Sequence, residues 1–406
     1  MLYSITAFIG GLALPRIETR WLPGLSSSVS SGGALAIGSS IASGMISLTA
    51  IVFSLAFVMV QFSATAYSPR LVLWIAKDRV IWHAIGVFTA TFIYALAAMA
   101  WVDRNPSVSM PLVSAFVVVA LLLMSVGMFV ALIERISLLQ ISRMLSFTGD
   151  QGRAVIQQTY APLDAAGVAS APPELPKASI VQTLRHTGRP RVIQAVNVPV
   201  LLMMATDANS VVEVVTPVGD TVVEGTPLMR VYGAKQPIEE RALRDTLVLG
   251  LERTFEQDPK YAIRLLVDIA IKALSPAVND PTTAVQALDQ IEDLLLQLGR
   301  RRLEIGVLRD HQAVVRVVIP YPAWDDFVIL AFDEIRFYGA TSVQVMRRMR
   351  ALTSDLIAAL PPERHPSLRH YQARLAATIQ RSFEDEEEKA EASIEDRQGL
   401  GVPRRQ

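Results

Sequence analysis

The chain has 406 residues, 51% of them hydrophobic and 19% charged, and its 38 Lys and Arg balance its 38 Asp and Glu. That neutrality leaves no electrostatic footprint for nucleic acid. The absence of cysteine excludes disulfides, thiolate catalysis and cysteine-ligated metals, and the five scattered His show no metal-ligand spacing.

The charges fall mostly after Leu132, so an apolar membrane part precedes a polar part large enough for one or two domains. The N-terminal run stops at Pro15 and Arg16, about two thirds of a bilayer at helical rise, and has no basic leader. It reads as an incomplete first span, or one whose true start lies upstream of Met1, followed by an interfacial exit at Arg16, Glu18, Arg20 and Trp21. Leu25 to Gly33 is a Ser/Gly-rich loop.

Leu35 to Ala66 is a second span with a polar stripe. No Asp, Glu, Lys, Arg or His occurs between Arg20 and Arg70, while Ser40, Ser47, Ser54 and Gln61 recur at seven-residue steps. On a helix these positions drift by only about 20° per step, so they form one line roughly as tall as the hydrocarbon core. Ser43, Gly44 and Thr65 widen that face. Two uses compete: close helix packing, in which small residues let backbones approach, and a water-filled path lined by hydroxyls and an amide in an oligomer. With no charge inside the spans, proton coupling drops away and passive conduction remains.

Ile81 to Val102 and Pro111 to Ile133 are further spans, giving four with the short first one. Positive charge at Arg70, Lys77 and Arg79, and again at Arg135, Arg143 and Arg153, places both connections and the polar part in the cytoplasm. Ser137 to Tyr160 continues at helical spacing and reads as a stalk interrupted by Gly149 and Gly152, and Ala161 to Pro176 is a Pro/Ala linker.

Val192 to Tyr232 alternates β-branched residues with turn pairs at Gly219-Asp220 and Glu224-Gly225, which predicts a small β unit. Its pattern resembles the barrel-sandwich module of lipoyl and biotinyl carriers and of efflux adaptors. No Lys lies between Arg191 and Arg230, so a swinging prosthetic arm is excluded. Arg185, Arg189 and Arg191 form a basic loop before it, a solvated turn or a contact for anionic lipid head groups.

Pro237 to Arg301 returns to helical period. Arg264, Asp268 and Lys272 make an i,i+4 ladder expected on a solvated face, with Leu266, Ile269, Ala270 and Ala273 opposite. Ser275 to Thr282 breaks one helix and starts the next, with Asp280 as N-cap and Pro281 at the first helical position. Besides a capped corner, Ser275, Asn279, Asp280 and Thr283 are candidates for a small ligand or partner at that helix start. Leu303 to Ile319 reads as strands around Arg309-Asp310; Asp325 to Leu360 is helical with a break at Gly339; Pro366 to Phe383 is a last helix before an acidic stretch expected to be disordered.

Three segments carry a family resemblance: SGMISLTAIVFSLAFVMVQFSATAYSPRL, VVTPVGDTVVEGTPL and, most specifically, LERTFEQDPKYAIRLLVDIAIKALSPAVNDPTTAVQALDQIEDLL. They resemble an uncharacterised bacterial membrane-protein family, domain of unknown function 2254. The resemblance implies an inner-membrane protein with an N-terminal helical membrane region and a cytosolic domain, and no settled activity. Two departures are a shorter first span and Glu134-Arg-Ile-Ser137 in place of a His-containing segment.

The expected architecture is therefore an α-helical transmembrane domain of four spans, the first one short, followed by a cytoplasmic α/β domain with a small barrel-sandwich-like β module. Its parts are residues 1–136 in the membrane, a stalk and linker at 137–177, a β module at 178–234, an α/β domain at 235–383 and an acidic tail at 384–406. His186, His311 and His370 are isolated, and no Walker, dinucleotide or zinc-hydrolase motif occurs. The expectation is a non-enzyme with no catalytic residues, cofactor or metal: an oligomeric inner-membrane channel-like or transport protein with a cytoplasmic assembly or gating domain. The alternative is a non-conducting scaffold or sensor that binds a protein or small ligand through its cytoplasmic domain. Expected partners are the lipid bilayer and further copies of the chain, with a small ion or small molecule as ligand and no nucleic acid.

Overall fold

The structure, a computed structural model, describes residues 2–22, 30–66, 79–105, 110–137, 141–163 and 178–400. It divides into two compact units, Met1–Gln140 and Ile141–Gln406.

In the first unit, α1 (Leu2–Trp21), α2 (Ser31–Ala66), α3 (Arg79–Arg104) and α4 (Leu112–Ser137) are long helices, and α3 packs against the other three. Three of them contain segments long and apolar enough to cross a bilayer: Ser31–Val58, Val80–Arg104 and Leu112–Glu134. Helix α1 continues through Pro15 to Trp21 instead of stopping at the proline, but it carries Arg16, Glu18 and Arg20 and is not among those three. Small residues set the contacts of α3, because without a hydrophobic driving force between helices close backbone approach is what holds them. A Cβ on Gly11 would lie 2.6 Å from that of Ala97, and one on Gly38 would lie 2.7 Å from the Met99 side chain. The buried hydroxyls of Thr91 and Ser125 meet at 2.9 Å between α3 and α4.

The second unit begins with α5 (Ile141–Thr159). Gly149 and Gly152 do not interrupt this helix; they are where it meets Gln290, Leu294 and Ala262 too closely for any side chain. Strands β1 (Ile180–Arg185), β2 (Arg191–Val196), β3 (Val211–Val214), β4 (Thr221–Val222), β5 (Pro227–Tyr232), β6 (Leu247–Gly250), β7 (Val307–Arg309) and β8 (Val315–Val318) build two sheets. One runs β1-β5-β3-β8-β7, with β3 and β8 parallel and the other neighbours antiparallel; the other is antiparallel β4-β2-β6. Leu184, Ile193, Val212, Leu228, Val231 and Val317 from both sheets share one core. The β part is thus not confined to 178–234, since β6, β7 and β8 come from beyond it. The expected continuous β reading also fails at Val198–Asp207, which is a helix (α6). Asn197 caps it through Val200 N, Pro199 fits its first turn, and Leu201 and Ala205 are buried.

The helical layer follows from amphipathic period. Besides α7 (Glu240–Asp245), it contains α8 (Pro259–Ala273), α9 (Pro281–Gly299), α10 (Trp324–Tyr338), α11 (Val343–Ala359) and α12 (His365–Ser382). Helix α8 is buried on most of its circumference and packs on α5, α9 and α10. Its ladder is correspondingly not solvated. Arg264 and Asp268 are only 18% and 17% exposed, and Arg264 also reaches Glu334 of α10 at 2.7 Å. Finally, the acidic stretch is ordered through Leu400. Helix α13 (Glu386–Ala392) and the chain after it lie along α11, where Arg347 and Arg350 donate to the Glu391 and Ser393 carbonyls and Asp355 accepts from Arg397 Nε and Nη2, both at 2.6 Å.

Candidate functional site

The polar stripe lies on the outside of its own helix bundle. Helix α2 buries Ala34, Gly38, Ala42, Met45 and Val52, whereas Ser40, Ser47 and Ser54 are exposed. At about 100° per residue the two sets lie on opposite sides of the helix. The serines are therefore not the seam that packs α2 within the chain; the Gly38 and Ala42 face does that. Ser40 and Ser47 return their hydroxyls to the Ala36 and Ser43 carbonyls at 3.0 and 2.9 Å, so neither is left unsatisfied. The backbone of Gln61 belongs to α2, and its side chain lies outside the described residues. The basic connection at Arg70 and Lys77 also lies outside them.

A buried carboxylate sits in the same unit. Glu18 of α1 is 3% exposed and accepts from Val113 N at 2.6 Å, Ser114 N at 3.0 Å and Ser114 Oγ at 3.1 Å. It thus caps the first turn of α4 from another helix, where the aligned peptide dipoles favour negative charge. Reading Glu18 as an interfacial exit missed this, and no local signal reveals a partner 95 residues away.

In the second unit, Ser275, Asn279, Asp280 and Thr283 share one corner, where Thr283 is buried, Ser275 and Asp280 are half-buried and Asn279 is exposed. Asp280 Oδ1 accepts from Thr283 N at 3.1 Å and Oδ2 from Thr283 Oγ1 at 2.6 Å. Ser275 Oγ donates to the Lys272 carbonyl, and Asn279, in the left-handed region at φ 49°, donates its N–H to the Ser275 carbonyl. Of the basic loop, Arg185 donates to the Gly225 carbonyl at 2.7 Å, while Arg189 and Arg191 are an exposed and a half-buried position around a turn closed by buried His186.

A second Asp-Pro helix start differs from the first. Asp258 precedes Pro259 as Asp280 precedes Pro281, yet its side chain makes no cap. It is 2% exposed and instead binds Arg253, Oδ2 to Nε at 2.7 Å and Oδ1 to Nη2 at 3.0 Å. Arg253 lies over the Tyr261 ring, 5.4 Å from its centroid. Gly219, at φ 93°, closes over this pair, and a Cβ there would stand 2.3 Å from Asp258 Oδ2. Gln257 and Lys260 from the start of α8, Val218 from the β3–β4 turn, and Tyr321 and Asp326 at the entry to α10 surround a cavity of about 190 Å³ beside Asp258. Burial pushes the Tyr321 phenol above its ordinary range. Beneath it Tyr160, edge-on to Tyr321 with centroids 6.3 Å apart, keeps a buried hydroxyl with no partner among the described residues. With the Lys260 ammonium, the Asp258 and Asp326 carboxylates and the Gln257 amide in its walls, the cavity suits a small polar molecule.

Comparison with known proteins gives a family and no activity. The family described as "Predicted membrane protein (DUF2254)" matches residues 1–355. Uncharacterised proteins of Mycobacterium tuberculosis and Mycobacterium bovis are each 28% identical over 358 residues, covering 85% of this chain and 68% of the relative. No solved structure matches.

Proposed function

The chain belongs to the DUF2254 family of predicted membrane proteins, and from that premise we propose that it assembles in a bacterial inner membrane as an oligomeric channel-like protein, with the second unit cytoplasmic. In this reading α2 lines the path and the second unit assembles or gates it. One observation carries the proposal: Ser40, Ser47 and Ser54 present a polar line away from the chain's own helices, so that face meets lipid or another copy. A line of hydroxyls offers hydration to a permeating ion or small solute without fixed charge. The test is flux into liposomes holding the purified chain, with Ser47→Leu and Ser54→Leu alongside. Conduction lost in the variants is expected; no conductance, or flux unchanged in both, refutes the proposal.

The cavity beside Asp258 favours a second reading, a membrane-anchored sensor or scaffold whose cytoplasmic unit takes a small polar ligand or a partner. Cross-linking in intact cells separates the two, because a scaffold yields one stable heterologous partner while the channel reading yields copies of the same chain.

A further inference from the structure

The buried and half-buried arginines of the second unit are mostly met by carboxylates. Arg264 has Asp268 and Glu334, Arg316 has Asp310 at 2.7 Å, and Arg348 has Asp289 at 2.8 Å together with Glu292. The seam between α10 and α12 breaks that pattern. Arg336, in the last turn of α10, donates Nη1 to Thr378 Oγ1 of α12 at 2.8 Å, and its buried Nε has no partner among the described residues. Thr378 spends its own proton on the Arg374 carbonyl. One helical turn on either side of Thr378 stand Arg374 and Arg381, so three guanidiniums line one seam.

The Asp333 carboxylate beside them is already taken. Asp333 Oδ1 accepts from Arg374 Nη1 at 2.6 Å and from the Tyr371 hydroxyl at 2.9 Å. Arg381 is exposed and has no ion-pair partner among the described residues. Arg336 is held below the ordinary guanidinium range by burial first and by Arg374 next, with Arg381 adding to it. Like charges gathered round a half-buried arginine cost free energy that a bound anion would return.

We propose that the α10–α12 seam binds a phosphoryl group, held by Arg336 and Arg381 with Arg374 beside them. Arg336 and Arg381 offer guanidinium N–H groups to phosphoryl oxygens in charge-assisted hydrogen bonds, and Arg374, still paired with Asp333, adds positive charge beside them. The group comes either from a soluble phosphorylated molecule or from a phospholipid head group. The inference is independent of whether the membrane unit conducts.

The experiment uses the full chain in nanodiscs, with hydrogen exchange of residues 333–338 and 371–382 as readout and ionic strength held constant with KCl. One arm titrates inorganic pyrophosphate into phosphatidylcholine nanodiscs; the other compares these with phosphatidylglycerol-containing nanodiscs and no soluble phosphate. Saturable protection in the first arm identifies a soluble source, and protection in the second a head group. Arg381→Gln is expected to weaken the effect about tenfold, the loss of one hydrogen bond to a charged group, and Arg336→Gln at least as much. Lys235→Gln should change nothing. Protection in neither arm, or protection unchanged in Arg381→Gln, overturns the proposal. Arg381 is exposed and has no ion-pair partner among the described residues, so its variant keeps the test valid even if Arg336→Gln fails to fold.

Discussion

Replacing Glu18 tests whether α1 is an integral part of the membrane unit. Glu18→Ala removes the acceptor of two backbone N–H groups and one hydroxyl at the start of α4. A buried donor left without its partner costs about 1–3 kcal/mol, and loss of a cap about 0.5–2 kcal/mol. Three donors lose their acceptor and water reaching the helix end recovers part of the cost, so the expected loss is about 3–5 kcal/mol. Glu18→Gln keeps an acceptor oxygen but gives up the charge facing the helix dipole, a loss of about 1–2 kcal/mol. At about 2–4 °C per kcal/mol for a domain of this size, Ala lowers the unfolding midpoint by roughly 10 °C and Gln by roughly 3–5 °C.

The assay is thermal unfolding of the purified chain in one detergent, followed by size-exclusion of the surviving fold. A second readout exploits the absence of cysteine: a single Cys introduced at exposed Ile9 reports by maleimide labelling whether α1 leaves the bundle. An Ala variant that melts within about 1 °C of the parent would refute the reasoning, since an interfacial Glu in water loses almost nothing on truncation.

Two further predictions concern the second unit. Gly219→Ala forces a side chain into the left-handed region and against Asp258, costing about 1–2 kcal/mol for the backbone and disrupting the Arg253 pair; urea unfolding should show a loss of about 3 kcal/mol, and a variant within 0.5 kcal/mol of the parent on the order of surface changes would exclude the tight closure. Asp310 is held below the usual carboxylate range, first by Arg316 and then by the Val314 and Gln312 amides. Its folded value lies under its unfolded one, so its contribution is present above the unfolded value and fades as pH falls through the folded one. The stability gap between the parent and Asp310→Asn should therefore be widest near neutrality and shrink in acid, and a gap that grew on acidification would contradict the pairing.

What was legible in the sequence was local. The three apolar spans, the α8–α9 corner with Asp280 and Pro281, and the break near Gly339 follow from hydropathy, capping and period, and the structure has them. What was not legible depended on distant partners. Glu18 reads as polar until the start of α4 supplies its donors, and Val198–Asp207 reads as β until Asn197 starts a helix over a buried Leu201. Gly149 and Gly152 look like breaks in isolation, but against Gln290 and Leu294 they are points of close contact. The acidic stretch lacks large apolar residues and would be solvated on its own; Arg347, Arg350 and Asp355 of α11 give it partners. The Asp258 cavity needs three separated segments, so only the shared Asp-Pro spelling hinted at it.

The stripe on α2 turns on a similar dependence. Because Ser40 and Ser47 satisfy their hydroxyls on their own helix, exposure to hydrocarbon would not leave them short of partners, and polarity alone does not demand a pore. What distinguishes the environments is the response to added bulk. Facing lipid, Ser47→Leu exchanges a small polar side chain for one that hydrocarbon accepts readily, so the chain should stay monodisperse and no less stable. Facing another copy, the same leucine meets a surface shaped for small residues, and overpacking of about 1–3 kcal/mol should separate the copies or close the path between them. Measuring assembly and flux on one Ser47→Leu preparation therefore separates a lipid-facing stripe from an assembled one by opposite outcomes.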